Sequence, residues 1–190
     1  MSDADREKWN ALYRDASTSA APSSQLVEIL ARWPKTGRAL DVAGGTGANA
    51  RALSERGFHV TLVDISDVGL ETARAKGHGR VITVQADLER DALPAGPFDL
   101  ILCASFLLRP LFAELPSRLA PDGLAIFIHP TVRNLERHAR PSRRFLLDEG
   151  EAPSLFPTLR ILEHSEGWSE DGRHLAQLVA QSAQQGRQTS

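Results

Sequence analysis

Five short apolar runs punctuate the first two thirds of the chain: RALDVAG (38–44), HVTLVDI (59–65), RVITVQAD (80–87), FDLILCAS (98–105) and GLAIFIHP (123–130). Each is almost continuously apolar instead of alternating, the pattern of a strand covered on both faces. Between them lie stretches with helical spacing, such as ANARALSERG (48–57) and SDVGLETARAKG (66–77). Strand and helix in alternation predict a parallel, doubly wound α/β sheet. Two further runs, PTLRILEHSEGW (157–168) and DGRHLAQLVAQ (171–181), are joined by a Gly/Asp turn with no room for a helix. They read as an antiparallel hairpin that closes the sheet. Residues 1–15 form an opening amphipathic helix, followed by the polar loop DASTSAAPSS and a second helix, and QSAQQGRQTS reads as a disordered tail. The expected organisation is one domain over 1–182: a helical segment to 36, a core over 37–130, an acceptor-side segment and hairpin over 131–182, then a tail over 183–190.

In an open parallel sheet, ligands bind beyond the carboxyl ends of the strands where the strand order reverses. Three of the first four strand ends carry an aspartate: Asp41, Asp64 and Asp87; the fourth carries Cys103 and Ala104. After Asp41 the loop holds Gly44, Gly45 and Gly47, which let backbone approach a ligand closely. Gly45, Gly47 and Ala50 also satisfy a dinucleotide pattern, so a nicotinamide or flavin cofactor competes with other ligands here, as does a plain strand–helix turn. Asp64 suits both hydroxyls of a ribose in either case. Asp87 suits the amino edge of adenine beside the Leu88 amide, or simply closes a turn. Asp41 separates the classes: a carboxylate beside the loop repels a pyrophosphate and attracts an ammonium group. A ligand with adenine, ribose, a central cation and an amino-acid tail fits all four strand ends, and S-adenosylmethionine is such a ligand.

Composition narrows the partners. The formal charge is −2, which gives no electrostatic case for nucleic acid or an anionic membrane and favours a small molecule. Cys103 is the single cysteine, so neither an intrachain disulfide nor a cysteine-based metal site is expected. No run approaches the ~18 apolar residues of a membrane span, and the charged N-terminus lacks the apolar core of a secretory signal. The expectation is a cytoplasmic protein of 190 residues that binds no metal.

The segments ALDVAGGTGANARAL, VTLVDIS, VQADLE, FDLILC and LAPDGLAIFI resemble the successive motifs of class I S-adenosylmethionine-dependent methyltransferases, over most of residues 37–130. LLRPLFAELPSRLAPDG and the late FLLDEGE and LFPTLRILEHSEG are similar to the tellurite-resistance and thiopurine-type small-molecule enzymes. The resemblance implies a single-domain Rossmann-like seven-stranded sheet whose last strand is antiparallel. It implies that Asp41, Ala43, Gly45 and Gly47 line the methionine part, Asp64 and Ile65 the ribose and adenine, Asp87 and Leu88 the base, and that Cys103 and Ala104 lie beneath the sulfonium. Trp9 and Tyr13, one helical turn apart, resemble that family's N-terminal lid; a hydrophobic stripe docking on the sheet is the alternative. The family loop usually carries glycine where Ala43 stands.

On the acceptor side, Phe106, Leu107 and Leu108 precede the Arg109-Pro110 pair, where relatives often have polar residues, so the acceptor pocket is expected to be apolar, with Phe106, Leu108 and Arg109 as substrate residues. His129 at a strand end is the imidazole placed to act as a general base, or a structural residue. Residues 131–145 hold five arginines and one histidine against a single glutamate, either a basic flap over the acceptor or a solvated surface paired with Asp148, Glu149 and Glu151. The leading function is methyl transfer to a small organic acceptor at sulfur, oxygen or nitrogen. A cofactor-binding protein without turnover and an NAD(P)-dependent oxidoreductase are the alternatives.

Overall fold

A computed structural model describes residues 3–15, 21–33, 36–77 and 79–183. The expected tail from 184 onward and most of the first polar loop, 16–20, lie outside the described residues. Along the chain come α1 (Asp3–Asp15), α2 (Ser24–Arg32), β1 (Gly37–Val42), α3 (Ala48–Glu55), β2 (Phe58–Asp64), α4 (Asp67–Lys76), β3 (Val81–Gln85), β4 (Phe98–Ala104), β5 (Leu119–Pro130), β6 (Arg160–Trp168) and β7 (His174–Gln181). The seven strands make one sheet in the order β3-β2-β1-β4-β5-β7-β6. β7 runs antiparallel to both its neighbours, as the hairpin pattern predicts, and the other pairings are parallel.

The order reverses between β1 and β4. There Val42 stands level with Val63 of β2 and with Cys103 of β4, so the carboxyl ends of three strands open onto one crevice. The two faces of the sheet are covered differently. On one, Leu26, Ile29 and Leu30 of α2, Leu53 of α3 and Leu70 of α4 bury against Ala39, Val60, Leu62, Leu100 and Ile126. On the other, Leu40, Val42, Ile101, Cys103 and Phe127 meet Phe112, Leu115 and Phe156. The Phe112 ring stands edge-on to Phe127 and Phe156, with centroids 4.9 and 5.3 Å away.

A doubly wound sheet leads one to expect α-helices on both faces. The second face instead carries single 3₁₀ turns, Arg109–Ala113, Leu115–Arg118 and Ala152–Leu155. Each has a proline in its opening positions, namely Pro110, Pro116 and Pro153. Proline starts a turn readily but cannot donate to an ongoing helix, and Pro116 follows too closely on the first turn for a helix to run through. These turns still deliver Leu111, Phe112 and Leu115 to the core. This face of the sheet is therefore covered by short turns and loops.

Candidate functional site

The crevice is walled first by Asp41. Its side chain projects from the penultimate position of β1, is 1% exposed, and leaves Oδ2 without a hydrogen-bond partner. Burial, then the Asp64 charge, pushes its carboxyl up to about 7 against an offsetting backbone bond from Ala50. Residue 44 must be glycine for this arrangement: a Cβ there would lie 2.6 Å from Asp41 Oδ2 and 2.7 Å from Leu62 Cγ. Gly45 (φ 55°) and Gly47 (φ 79°) turn the chain through the left-handed region, and Gly47 opens α3. Ala43 adopts φ 52°, a conformation that costs an alanine energy. The glycine-for-alanine exchange seen in the sequence is thus a position where the backbone still takes the glycine conformation.

Asp64 closes the next strand end. Its Oδ2 accepts from the Gly45 amide and its Oδ1 from the Ser66 amide, both at 2.8 Å, which ties the glycine loop to the β2 end. Burial raises its pKa, and the amides of Ser66, Gly45 and Ile65 act against that rise. Gln85 Nε2 donates to the Ile65 carbonyl at 3.1 Å and so holds the residue after the carboxylate. Asp87 closes its own turn: its Oδ1 accepts from the Glu89 amide at 3.0 Å, and Arg90 Nε lies 3.7 Å from Oδ2. Its side chain thus takes part in the turn. Leu88 is buried in the core.

Over this floor lies α1. Trp9 and Tyr13 stack at 5.7 Å, and Tyr13 sits against the glycine loop, its hydroxyl 2.6 Å from where a Gly45 Cβ would be. Burial first, then the charges of Asp64 and Asp41, push the phenol upward, so it stays protonated and can donate. The stripe docks on the glycine loop, with Tyr13 beside both Gly45 and Gly69. Two residues absent from the sequence reading hold it there. Asn10 Nδ2 donates to Asp67 at 2.6 Å, and the Ser66 hydroxyl donates to Asn10 Oδ1 at 2.6 Å while accepting the Gly69 amide that it caps. Ser66 is legible as a helix cap before Asp67 and Gly69; Asn10 carries no pattern of its own.

The acceptor side departs further from expectation. Cys103 is buried, its Sγ donates to the Phe106 carbonyl at 3.3 Å, and burial followed by the Asp41 charge pushes its thiol up, so it is no nucleophile. Ser105 takes φ 60° and is exposed, while Phe106, Leu107 and Leu108 lie half-buried against the second core face. Arg109, expected at the substrate, is engaged: it forms a two-pronged pair with Glu151 at 2.5 and 2.8 Å and donates to the Leu146 carbonyl at 3.3 Å. His129, one residue past the level of Ala104 on the adjacent strand, is 3% exposed and stacks on Phe127 with centroids 5.6 Å apart. Its Nε2 lies 2.9 Å from the Phe145 carbonyl, which can only accept, so Nε2 carries the proton and Nδ1 is left a buried lone pair without a partner. Burial, reinforced by Arg109 and opposed by the Phe145 bond and Glu151, lowers its pKa to about 4. A base with that pKa takes up protons poorly at neutral pH, which turns the general-base expectation into one of hydrogen-bond acceptance.

The pairing expected for the basic segment holds for one arginine only. Arg143 reaches Asp148 at 2.7 Å, while Arg133 pairs with Glu136 at 2.8 Å and Glu151 goes to Arg109. Among the described residues no three His, Cys, Asp or Glu side chains are grouped to hold a metal ion, and no helix is long and apolar enough to cross a membrane.

Residues 39–123 match the family described as "Methyltransferase domain". The glycine/sarcosine N-methyltransferase of Halorhodospira halochloris is 30% identical over 167 residues, which cover 80% of this chain and 61% of that protein. The ubiquinone/menaquinone biosynthesis C-methyltransferase UbiE of Methylobacterium nodulans is 38% identical over 115 residues, 53% of this chain and 46% of its own. The chain thus spans about half to three fifths of the length of these curated relatives. Among solved structures, a TehB-like SAM-dependent methyltransferase from Corynebacterium glutamicum superposes with a TM-score of 0.69 at 19% identity, covering 95% of this chain and 100% of that one. The fold is that of the class I methyltransferases.

Proposed function

We propose, from the match of residues 39–123 to the methyltransferase domain family and from the fold, that this chain binds S-adenosylmethionine and transfers its methyl group to a small organic acceptor. The observation that carries the reading is the buried, unpartnered Oδ2 of Asp41 beside the glycine loop. An uncompensated buried carboxylate oxygen is costly, and an ammonium group is the partner that repays it. A dinucleotide would bring pyrophosphate to the same carboxylate and be repelled. In this reading Asp41, Ala43, Gly44, Gly45 and Gly47 hold the amino-acid end, Asp64 with Ile65 the ribose, the Asp87–Leu88 turn the base, and Cys103 and Ala104 the floor, with Trp9 and Tyr13 above.

When bound, the cofactor supplies a methyl group already activated by a sulfonium. The protein's contribution is alignment and exclusion of water. Phe106, Leu107 and Leu108 give the acceptor an apolar wall, which disfavours a heavily hydrated oxyanion such as tellurite. His129 Nδ1 offers an acceptor for a proton-bearing group and does not store the proton. The named relatives methylate nitrogen in one case and carbon in the other, so they leave the acceptor atom to experiment. Calorimetry with S-adenosylmethionine, S-adenosylhomocysteine and NAD tests the cofactor: the first two bind, and NAD binding as tightly would reverse the assignment. Transfer of labelled methyl to a panel of thiols, phenols, amines and tellurite tests the acceptor. Turnover on tellurite alone would refute the apolar-acceptor reading, and binding without any turnover would leave a cofactor-binding protein.

A further inference from the structure

A second site lies on the same edge of the sheet, outside the crevice. Because β5 and β6 both run antiparallel to β7, their carboxyl ends and the β6–β7 turn emerge at the edge that also bears Asp41, Asp64 and Cys103. Between the segment following β5 and that turn is a cavity of about 690 Å³, lined in part by Pro130, Arg137, His138, Arg140, Asp171 and Arg173. His138 Nε2 donates to the Gly172 carbonyl at 3.0 Å and fastens one wall to the other.

The charges do not cancel there. Asp171 is held by Arg173 at 2.6 Å and by the Ser169 hydroxyl, which keeps its carboxyl down at about 2 and neutralises that arginine. Glu136 is engaged by Arg133. The Arg137 guanidinium carbon lies 3.7 Å from the centroid of the Trp168 ring, a cation–π contact that does not use up the N–H donors of the guanidinium. Arg140 is exposed and has no ion-pair or hydrogen-bond partner among the described residues. Arg137 feels the Glu136 charge but forms no ion pair among the described residues, and neither does Arg140, so two guanidiniums with free donors share a groove with the apolar surfaces of Pro130, Ala139 and Pro141.

We propose that this groove binds the doubly anionic end of an organic molecule, a phosphate ester in chemical class, and that it is the distal subsite of the methyl acceptor. Guanidinium forks match phosphate oxygens, and the apolar floor accepts the carbon body attached to them. The groove lies between the end of β5, at Pro130, and the β6–β7 turn, at Asp171 and Arg173; in the sheet β5 is one strand from β4, and β7 and β6 are two and three. At about 4.8 Å per strand these elements are offset roughly 5–15 Å along the sheet from β4, so an acceptor that reaches both places needs a body between its anionic and its reacting end.

The subsite half of the proposal rests on the methyl-transfer reading; the anion-binding half does not. Phenyl phosphate, benzoate and benzyl alcohol are titrated by calorimetry at low salt into the full chain and into Arg137→Gln, Arg140→Gln and, as a control far from the groove, Arg56→Gln, with S-adenosylmethionine binding measured on the same samples. Phenyl phosphate is expected to bind with a millimolar or tighter Kd, ahead of benzoate and well ahead of benzyl alcohol. Arg137→Gln and Arg140→Gln are each expected to weaken it by threefold or more, with Arg56→Gln unchanged and cofactor affinity untouched in all three. Absence of phenyl phosphate binding at 10 mM, a preference for the neutral alcohol, or a loss under threefold in either groove variant overturns the proposal. Loss of cofactor binding with anion binding intact would instead sink the methyl-transfer reading and leave the groove standing.

Discussion

Asp41→Asn separates the two things that a buried acid does in this protein. In the wild type the carboxyl is raised from 3.8 to about 7, first by burial and then by Asp64. The folded state therefore holds a proton that the unfolded chain releases between those pH values. By linkage, stability contributed at this position is intact below about pH 4, falls as pH rises toward 7, and stays low above it. At about 1.36 kcal/mol per pH unit, the interval amounts to about 4 kcal/mol at most. Asparagine keeps the shape and removes the titration. The variant should be more stable than wild type at pH 8, by up to about 4 kcal/mol, and no more stable at pH 4. Cofactor binding should move the other way. An ammonium group requires the ionised carboxylate, of which about one molecule in eleven has it at pH 6 and half at pH 7, so wild-type affinity should rise about fivefold over that unit. That window lies below the α-amino pKa of the ligand itself, about 7.7–8.0. Asp41→Asn should bind roughly 10- to 150-fold more weakly at pH 7.5, the loss of about 1.5–3 kcal/mol of charge-assisted bonding, and without the slope. Urea unfolding at pH 4 and 8 and calorimetry from pH 5.5 to 7.5 measure both. No stability gain at pH 8, or a variant that keeps the wild-type slope, would refute the assignment of the orphaned oxygen.

Asp64→Ala should weaken S-adenosylmethionine by about 10- to 150-fold and also cost about 1–3 kcal/mol of stability, because the Gly45 and Ser66 amides lose their acceptor; an unchanged Kd in calorimetry would place the ribose elsewhere. Ala43→Gly should stabilise the fold by about 1 kcal/mol in urea titration, since the residue already adopts φ 52°; a loss would mean that the alanine methyl is packed to advantage. His129→Ala should change turnover less than about tenfold on a thiol acceptor, and the wild-type pH–rate profile should show no ionisation from this imidazole between pH 5.5 and 8 because its pKa is about 4. A fall of about 10²- to 10⁴-fold with a neutral-pH limb would restore it as a general base.

The seven strands, the hairpin and the strand-end aspartates could be read along the chain because each rests on a local rule: burial on both faces makes a run continuously apolar, and a ligand loop after a strand needs glycine. Asp41, Gly45 and Asp64 met in the crevice as that pattern requires, since adjacent parallel strands that end level bring their last residues together. What the chain's order hides is which partner each charge meets. Glu151 lies in sequence beside the basic segment, yet it pairs with Arg109, 42 residues earlier in the chain. Asn10 and Ser66 are 56 residues apart and unremarkable singly; only the docking of α1 on α4 makes them a latch. His129 keeps its identity as a strand-end imidazole, but burial in the folded protein lowers its proton affinity, against the opposing bond to the Phe145 carbonyl. Local sequence determined the sheet and the glycine loop, which depend on backbone preference and burial over a few residues. Tertiary packing decided the pKa values of the buried groups and the long-range pair of Arg109 with Glu151, because solvation and Coulomb energy depend on distances in space.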